Sequence, residues 1–290
     1  GAPPNTFLSE SEILSILLAI PYPLPIASLI FEYFFKQILS TTQGAHALLR
    51  YDDSVTAWGD KDLGGDTTSV KESLRSGVDS VEGNGHAFAA IKDDGSLVTW
   101  GAADSGGDSH SARDQLSAGV HLMFWTERAF AAVTRDGQVV TWGDPNFGGD
   151  STPVQHQLSG GVDTIFCTSN AFAAKMHDGR IVTWGNPMAG GNSDDVNRDL
   201  KGVVETICSN RTAFLAVMRD GALVAWGRVP SDHDGLIPGS HASLSTWWNA
   251  DLTDAPYLLY HPSGDVSNFE ILRNRCIIPS ASVYHYPQDD

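Results

Sequence analysis

The stretch RDGQVVTWGDPNFGGDS, residues 135 to 151, joins an Asp-Gly pair, a Val-Val-Thr-Trp run and a Gly-Gly-Asp end. The same order of residues recurs along the chain with a period of 42 residues. Five tryptophans, each followed by glycine, mark the period: Trp58, Trp100, Trp142, Trp184 and Trp226. Self-similarity at a fixed period indicates a repeat architecture, in which each copy folds as one small unit and stacks on the next.

Other residues recur in the same register. Phenylalanine precedes the tryptophan in four copies, at Phe88, Phe130, Phe172 and Phe214. An Asp-Gly pair lies between them, at Asp94-Gly95, Asp136-Gly137, Asp178-Gly179 and Asp220-Gly221. Copy one is degenerate, with His46 at the phenylalanine position and Asp53-Ser54 at the turn, and a worn sixth copy spans residues 257–269, with Phe269 one residue late. We therefore expect clear repeats over residues 44–227 and a divergent last copy and tail over residues 228–290.

Each copy is predicted to form a three-stranded sheet. An Asp-Gly pair between two short apolar runs favours a hairpin with a tight primed turn, because glycine adopts a positive φ without steric cost. A third apolar run, GVDTIFCT at residues 161–168, recurs in other copies and supplies a third strand. The runs do not alternate between apolar and polar residues, which is expected where both faces of a sheet are covered.

The polar stretch after each Gly-Gly pair predicts a short helix at the sheet edge. The expected N-cap residues are Asp66, Asp108, Asp150 and Asn192. Apolar residues four positions apart follow them, at Val70 and Leu74, Val154 and Leu158, and Val196 and Leu200. Such an apolar stripe would cover an edge strand that could otherwise pair with another chain.

A three-stranded unit cannot bury both of its faces alone, so the copies must stack side by side. Ala131 and Ala132 suit the crowded inner part of a propeller, and Trp142 is large enough to fill the gap between two blades. The sequence therefore predicts an all-β fold, a β-propeller or open propeller arc of about six short blades with small helical edges. The alternative for the repeated tryptophans is an aromatic binding rim.

The phrase FAAxxxDGxxVTWGxxxxGGDS, matched best over residues 86–227, resembles the repeats of the RCC1-like β-propeller superfamily. The resemblance extends over residues 44–290, and the short 42-residue copies are similar to a variant seen in algal and protist proteins. Better known members have longer blades and usually more of them, which leaves the closure of the ring open. The superfamily includes a GTPase exchange factor, domains of ubiquitin ligases and a β-lactamase inhibitor, so the resemblance implies protein binding through loops on one face.

Residues 1–43 have no counterpart in the repeat and predict an apolar N-terminal α-helical hairpin, or anchor. The uncharged run Ile13–Phe31 is long enough to cross a membrane, but the prolines of PYPLP, residues 21–25, argue against one straight membrane helix because they lack amide donors. We expect one helix from about Glu10 to Ile20 and a second from about Pro25 to Leu39. The second helix either covers the open end of the propeller or docks on a membrane-embedded partner. Its expected partner-binding residues are Ile26, Leu29, Ile30, Phe31, Phe34 and Phe35.

Residues 228–256 replace the Gly-Gly-Asp end of copy five with a longer loop. Trp247 and Trp248 in this loop are either further partner-binding residues or local core. His233, between two aspartates, is the nearest approach to a metal-ligand cluster, and a flexible acidic loop explains it better. The repeated Gly-Gly-Asp lacks the dense oxygen ligands of a calcium loop. No nucleophile elbow, phosphate-binding loop or dinucleotide fingerprint occurs, so we predict no enzyme activity, cofactor or metal site.

The formal net charge of -17 excludes a sequence-independent grip on nucleic acid and favours protein partners with basic surfaces. Three cysteines without a CxxC motif predict free thiols. Two of them, Cys167 and Cys208, fall one residue out of register between neighbouring copies, so they are expected on opposite faces of their strands.

The chain begins at Gly1 and its first methionine is Met123, as expected of a processed or trimmed chain. Together with the apolar hairpin, this favours an accessory structural subunit of a large organellar membrane complex, photosynthetic or respiratory. Contact with the membrane is expected through residues 10–39. The alternatives are a regulator of the superfamily's usual kind, namely a small-GTPase exchange factor or ubiquitin-pathway adaptor, and an enzyme-inhibiting or ligand-binding propeller. A regulator would be soluble and cytoplasmic.

Overall fold

The computed structural model describes residues 35–40, 44–159 and 161–228 of the chain. The strands in this part form five three-stranded antiparallel sheets, each with its strands in chain order. We call the sheets blades 1 to 5. Blade 1 consists of β1 (Phe35–Ser40), β2 (Ala45–Arg50) and β3 (Val55–Gly59). Blade 2 consists of β4 (Val78–Gly83), β5 (Ala87–Lys92) and β6 (Leu97–Gly101).

The remaining blades repeat this order. Blade 3 consists of β7 (Val120–Trp125), β8 (Ala129–Thr134) and β9 (Val139–Gly143). Blade 4 consists of β10 (Val162–Cys167), β11 (Ala171–Met176) and β12 (Ile181–Gly185). Blade 5 consists of β13 (Val204–Ser209), β14 (Ala213–Met218) and β15 (Leu223–Gly227). The predicted all-β fold of short blade-like sheets is confirmed for these residues.

The middle strand of each blade is covered on both faces, as the sequence predicted. All six residues of β8 are buried, and Ala131 and Ala132 have no exposed surface. Successive blades share a core; Ala131 of blade 3 and Phe172 of blade 4, for example, belong to one cluster. Burial of apolar surface between neighbours is therefore what holds the array together.

The first strands of several blades contact one another. β7 contacts β10, β10 contacts β13, and β1 contacts β4, so these strands approach each other across blade boundaries. Each of them has one register irregularity, such as that between Val120 and Leu122 in β7. Ala131 and Ala132 lie on the middle strand of blade 3 and are fully buried.

The Asp-Gly hairpins differ from the predicted primed turn. Three residues separate Thr134 from Gln138, whose carbonyl accepts a hydrogen bond of 2.9 Å from the Thr134 amide. Only Gly137 in this loop has a positive φ, of 81°. A two-residue primed turn of the Asp-Gly type needs a positive φ at both residues, so the loop is the longer kind with one left-handed glycine.

In blade 1, Asp53 takes the left-handed position with a φ of 59°. The amide of Ser54 donates to Oδ1 of Asp52, as the amide of Ser96 donates to Asp94 in blade 2. The turn of copy one is therefore Asp52-Asp53, and the predicted Asp53-Ser54 was one residue late. Aspartate tolerates this backbone region better than most residues because its short polar side chain bonds locally.

The helical edges are shorter than predicted. They are mostly 3-10 turns, and the α-helix in blade 3, α1 (Gln155–Leu158), has four residues. The predicted cap Asp150 accepts a hydrogen bond from the amide of Thr152, but Ser151 is the residue that directly precedes the turn. The apolar side chain of Leu158 is buried in the core shared by blades 3 and 4. These turns therefore fill the space between blades.

The predicted helix over residues 25–39 is wrong from Phe35 onward, because Phe35–Ser40 is β1 and pairs with β2. The rest of the predicted hairpin, the loop with Trp247 and Trp248, and the worn sixth copy lie outside the described residues. Within the ranges 35–40, 44–159 and 161–228, no helix combines the length and the apolar character needed to cross a bilayer.

Candidate interaction face

The turns between first and middle strands lie at one end of the blades, and we call this end the turn face. It comprises residues 84–86, 126–128, 168–170 and 210–212. The first residue of each turn fixes the turn with its side chain. Oδ1 of Asn84 accepts hydrogen bonds of 2.8 Å from the amides of His86 and Ala87, and its Nδ2 donates to the carbonyl of Ser105. Thr126 and Thr168 also donate to carbonyls of the following Gly-Gly loop, those of Phe147 and Ala189.

Main-chain hydrogen bonds join the central residues of successive turns. The amide of Gly85 donates to the carbonyl of Glu127 (3.2 Å), that of Glu127 to Ser169 (2.9 Å), and that of Ser169 to Arg211 (3.0 Å). We call this chain of bonds the turn ladder. Because the ladder uses only main-chain atoms, it places no demand on the side chains at these positions, which are glycine, glutamate, serine and arginine in turn.

The side chains of the turn face differ in exposure from blade to blade. Arg211 is exposed, whereas Glu127 and Ser169 are half-buried. His86 is buried, and its Nδ1 lies 3.2 Å from the carbonyl oxygen of Glu127. The guanidinium carbon of Arg128 lies 5.6 Å from the centre of the Phe147 ring, within the range of a cation–π contact. The turn face therefore has a repeating main chain and a varied set of side chains.

The repeated tryptophans form the joints between blades. Trp142 is 2% exposed, and its Nε1 donates a 3.0 Å hydrogen bond to the carbonyl of Gly106 in the preceding loop. Its ring stacks on Phe130 with the centroids 5.4 Å apart. The same bond recurs at three further joints, from Trp100 to Gly64, from Trp184 to Gly148 and from Trp226 to Gly190. These tryptophans serve packing, and the alternative of an aromatic binding rim is wrong for them.

The Gly-Gly pairs are explained by the same joints. A Cβ on Gly106 would lie 2.5 Å from Cδ2 of Phe130, and a Cβ on Gly107 would lie 2.4 Å from the carbonyl oxygen of Gly101. Gly106 also has a φ of 98°, which favours glycine. The first glycine admits the aromatic pair of the next blade, and the second admits the main chain of its own blade.

An open groove with a cavity volume of about 860 Å³ lies between blades 1 and 2. One wall is the loop of blade 1 from Lys61 to Ser69, and the other is formed by β6 and the loop after it, up to Gly107. The carboxylates in its walls are those of Asp62, Asp66 and Asp104. Hydrogen bonds from Thr68 hold the pKa of Asp66 below its ordinary value, so this carboxylate is ionised at neutral pH. The groove is acidic, but its Asp66 carboxylate already accepts the hydrogen bonds of Thr68 that hold the local turn.

Glu82 is a buried acid that the sequence reasoning missed. Its side chain is 3% exposed, and its Oε2 has no hydrogen-bond partner. Burial raises the pKa of Glu82 to about 8. The repeat alignment carried the signal, because Phe124 and Phe166 are the residues at the same position of the next two copies.

Neither of the two cysteines in the described residues, Cys167 and Cys208, is joined in a disulfide. Cys167 pairs with Phe172 on β11, whereas Cys208 pairs with Leu215 on β14, the residue after Phe214, which is the equivalent of Phe172. The two cysteines therefore occupy neighbouring positions of the repeat. Across residues 35–40, 44–159 and 161–228 there is no group of three His, Cys, Asp or Glu side chains suited to a metal ion. His233 lies outside these ranges.

Most of the partner-binding residues predicted from the sequence lie outside the described residues: Ile26, Leu29, Ile30, Phe31, Phe34, Trp247 and Trp248. Phe35 is the first residue of β1. The resemblance implied binding through loops on one face, but no residue of the turn face was among the predicted sites, since its main-chain ladder leaves no pattern in the sequence.

No protein-family model matches the sequence, and no curated protein sequence matches it. Many solved structures are similar to the chain, among them the following three. The ectodomain of the Physcomitrella patens receptor kinase CR4 has 15% identity and a TM-score of 0.46, over 64% of this chain and 51% of that one. Human WBSCR16 has 17% identity and a TM-score of 0.41, over 67% of this chain and 61% of that one. Prp20p from Saccharomyces cerevisiae has 16% identity and a TM-score of 0.42, over 68% of this chain and 59% of that one. The chain thus spans between about half and three fifths of the length of these structures. Its own three-stranded blades establish its propeller-like all-β fold.

Proposed function

We propose that the chain is a non-enzymatic protein-interaction module of the RCC1-like propeller type and that its turn face contacts the partner. The turn ladder carries this proposal, because the fold uses only main-chain atoms of the four central turn residues. The three of them that carry a side chain, Glu127, Ser169 and Arg211, can therefore specify a partner without weakening the ladder. Binding residues are commonly found on loops held by a rigid scaffold in this way.

The residues that resemble the RCC1-like repeat also support the proposal. The phenylalanine, the tryptophan and the first glycine of Gly-Gly make one joint together, as Phe130, Trp142 and Gly106 do between blades 2 and 3. The motif thus describes how blades pack and is separate from the turn face, which is left for binding. The net charge of -17 favours a partner with a basic surface over nucleic acid.

A pair of charge-reversal variants tests the role of the turn face. The first variant combines Glu127→Lys with Arg211→Glu. The control combines Asp178→Lys with Arg180→Glu, in the hairpin turn at the other end of blade 4, where the two side chains form an exposed ion pair. Both variants keep the net charge, and the control also keeps the possibility of an ion pair.

Proteins crosslinked to the native chain should be lost with the turn-face variant and retained with the control, provided that both variants have the circular dichroism of the unchanged chain. Equal retention by both variants would contradict the proposal. Loss with the control alone would place the binding surface at the opposite end of the blades.

The proposed setting is an accessory subunit of an organellar membrane complex, photosynthetic or respiratory, attached through the apolar segment before β1. The uncharged run Ile13–Phe31 supports this setting. Since Phe35 belongs to β1, the attachment in this proposal ends before that residue. The full chain should be found in the membrane fraction, and a chain that starts at Phe35 should be absent from it. A truncated chain that stays in the membrane fraction would refute the attachment.

A further inference from the structure

Glu82 occupies a repeat position that faces the joint with the next blade. β4 places it opposite Ala89, and the equivalent pairs in blades 3 and 4 are Phe124 with Ala131 and Phe166 with Ala173. Phe124 belongs to the core shared by blades 3 and 4, and Phe166 packs against the core shared by blades 4 and 5. By the same register, Glu82 faces the core shared by blades 2 and 3, which also contains Ala89.

The environment of Glu82 suits a neutral acid and disfavours a charged one. The side chain is 3% exposed, and the described core around this joint consists of apolar residues. Oε2 accepts no hydrogen bond that would stabilise a negative charge. A buried carboxylate without a partner is much more costly than the protonated acid, which explains why burial raises the pKa of Glu82.

Other titratable groups on the elements of this joint do not offset the burial. The turns contribute His86 and Glu127, and Glu127 takes part through its main chain. Lys92 at the end of β5 is engaged with the carbonyls of Ser73 and Ser76, and His121 on β7 is exposed. The others include Asp79 on β4 itself and Arg128 and Arg135 beside β8. The loop between β6 and β7 adds Asp108, His110, Arg113 and Asp114. Burial is the cause of the Glu82 shift.

We infer that Glu82 makes the joint between blades 2 and 3 proton-sensitive, so that the joint is closed while the carboxyl group is protonated and loosens when it ionises. Ionisation is favoured where water reaches the carboxylate. Glu82 is 3% exposed and lies at the register position that faces blade 3, so separation of blades 2 and 3 is an opening that would expose it. Two of the bonds that cross this joint are the ladder bond from Gly85 to Glu127 and the indole bond from Trp142 to Gly106. The turn face is therefore continuous when the joint is closed and interrupted between blades 2 and 3 when it is open.

The next joint along the chain is a built-in control, because Phe124 stands there in place of Glu82. Its corresponding bonds run from the Glu127 amide to Ser169 and from the Trp184 indole to Gly148. Hydrogen exchange of these amides and indoles can be followed residue by residue in the full chain between pH 5 and pH 9. The exchange chemistry itself depends on pH in the same way at both joints. Taking the ratio of the protection factors of the two joints therefore removes this dependence.

If opening exposes Glu82, the Gly85 amide and the Trp142 indole should lose protection from hydrogen exchange as the pH rises. Measured relative to the Glu127 amide and the Trp184 indole, their protection should fall about tenfold for each pH unit between pH 5 and pH 8 and then level off. The Glu82→Gln variant should show a constant ratio. A constant ratio in the unchanged chain would overturn the inference, and so would a slope that survives in Glu82→Gln. If Glu82→Gln does not fold, Glu82→Leu replaces it, and the ratio in the unchanged chain decides the question without either variant.

Discussion

Single glycines set how closely two blades approach, and two of them offer a matched comparison. Gly148 has a φ of 92°, and a Cβ there would lie 2.6 Å from Cδ2 of Phe172. Gly179 has a φ of 85°, but nothing lies within 4 Å of its Cβ position. Gly148→Ala should therefore lower the free energy of unfolding by about 2 to 4 kcal/mol, from backbone strain plus steric overlap. Gly179→Ala should cost only the backbone strain, about 1 to 2 kcal/mol. Urea denaturation measures both, and equal losses would contradict the assigned role of the Gly-Gly pair.

A single acid, Glu82, should give the whole chain a pH-dependent stability. Its pKa of about 8 in the folded chain exceeds the ordinary value of 4.5. Between these values the unfolded chain has released the proton and the folded chain keeps it, so the contribution of Glu82 to stability is fully present below pH 4.5 and is lost as the pH rises to 8. The shift corresponds to at most about 5 kcal/mol over this range.

Glu82→Gln should flatten that decline, as measured by urea denaturation at pH 5, 6.5 and 8. Glu205→Gln is the control, because Glu205 is an exposed glutamate on β13, the matching strand of blade 5. The assignment fails if Glu82→Gln and Glu205→Gln change the pH dependence equally.

At the scale of an element, the regular strands could be predicted from the sequence, and the elements outside the period could not. Apolar runs at each side of the Asp-Gly pairs predicted the hairpins because both the glycine and the tryptophan recur. β1 was missed because it is out of step with the repeat. Phe35–Ser40 is equivalent in its pairing to Val78–Gly83 of blade 2, but the two strands are 43 residues apart, one more than the period. Its apolar composition favours a helix when read locally, and pairing with β2 decides otherwise.

The site was less predictable than the fold for a physical reason. A hydrogen bond between main-chain atoms, such as that from Glu127 to Ser169, imposes no residue type and therefore leaves no motif. Glu82 is the opposite case, since an acid among aromatic equivalents was visible in the alignment. The loop length of the hairpins was also hidden, because Asp-Gly is compatible with both a two-residue and a three-residue turn.

The joint between two blades is the next element to test. Trp142→Phe keeps an aromatic ring but removes the donor to the carbonyl of Gly106, which leaves a buried acceptor without its partner. The expected loss is about 1 to 3 kcal/mol in the free energy of unfolding. Trp58→Phe is the comparison, since Trp58 is half-buried and within the described residues no Gly-Gly loop precedes blade 1 to accept a bond from its indole. Thermal and urea denaturation compare the two, and an equal loss at Trp58 would show that the indole bond adds little.

On the scale of the whole molecule, each blade depends on its neighbours. The blades share cores in pairs, their first strands approach each other, and the turn ladder runs from blade 2 to blade 5. Stability in such arrays is nearly a sum of terms for single units and for their contacts. Loss of one strand should therefore act mainly on its own blade and the next one.

The start of the array offers the test of that dependence, because β1 is an edge strand of blade 1 and contacts β4 of blade 2. A chain that starts at Phe35 keeps this strand, whereas one that starts at Gly44 loses it and leaves the edge of β2 unpaired. We expect the first chain to keep blade 1 protected from proteolysis and the second to be cleaved rapidly between Ala45 and Gly59. Blades 3 to 5 should resist in both chains, because their cores do not include blade 1. Limited proteolysis with mapping of the fragments distinguishes these outcomes; equal protection of residues 45–59 in both chains would show that β1 is dispensable for blade 1.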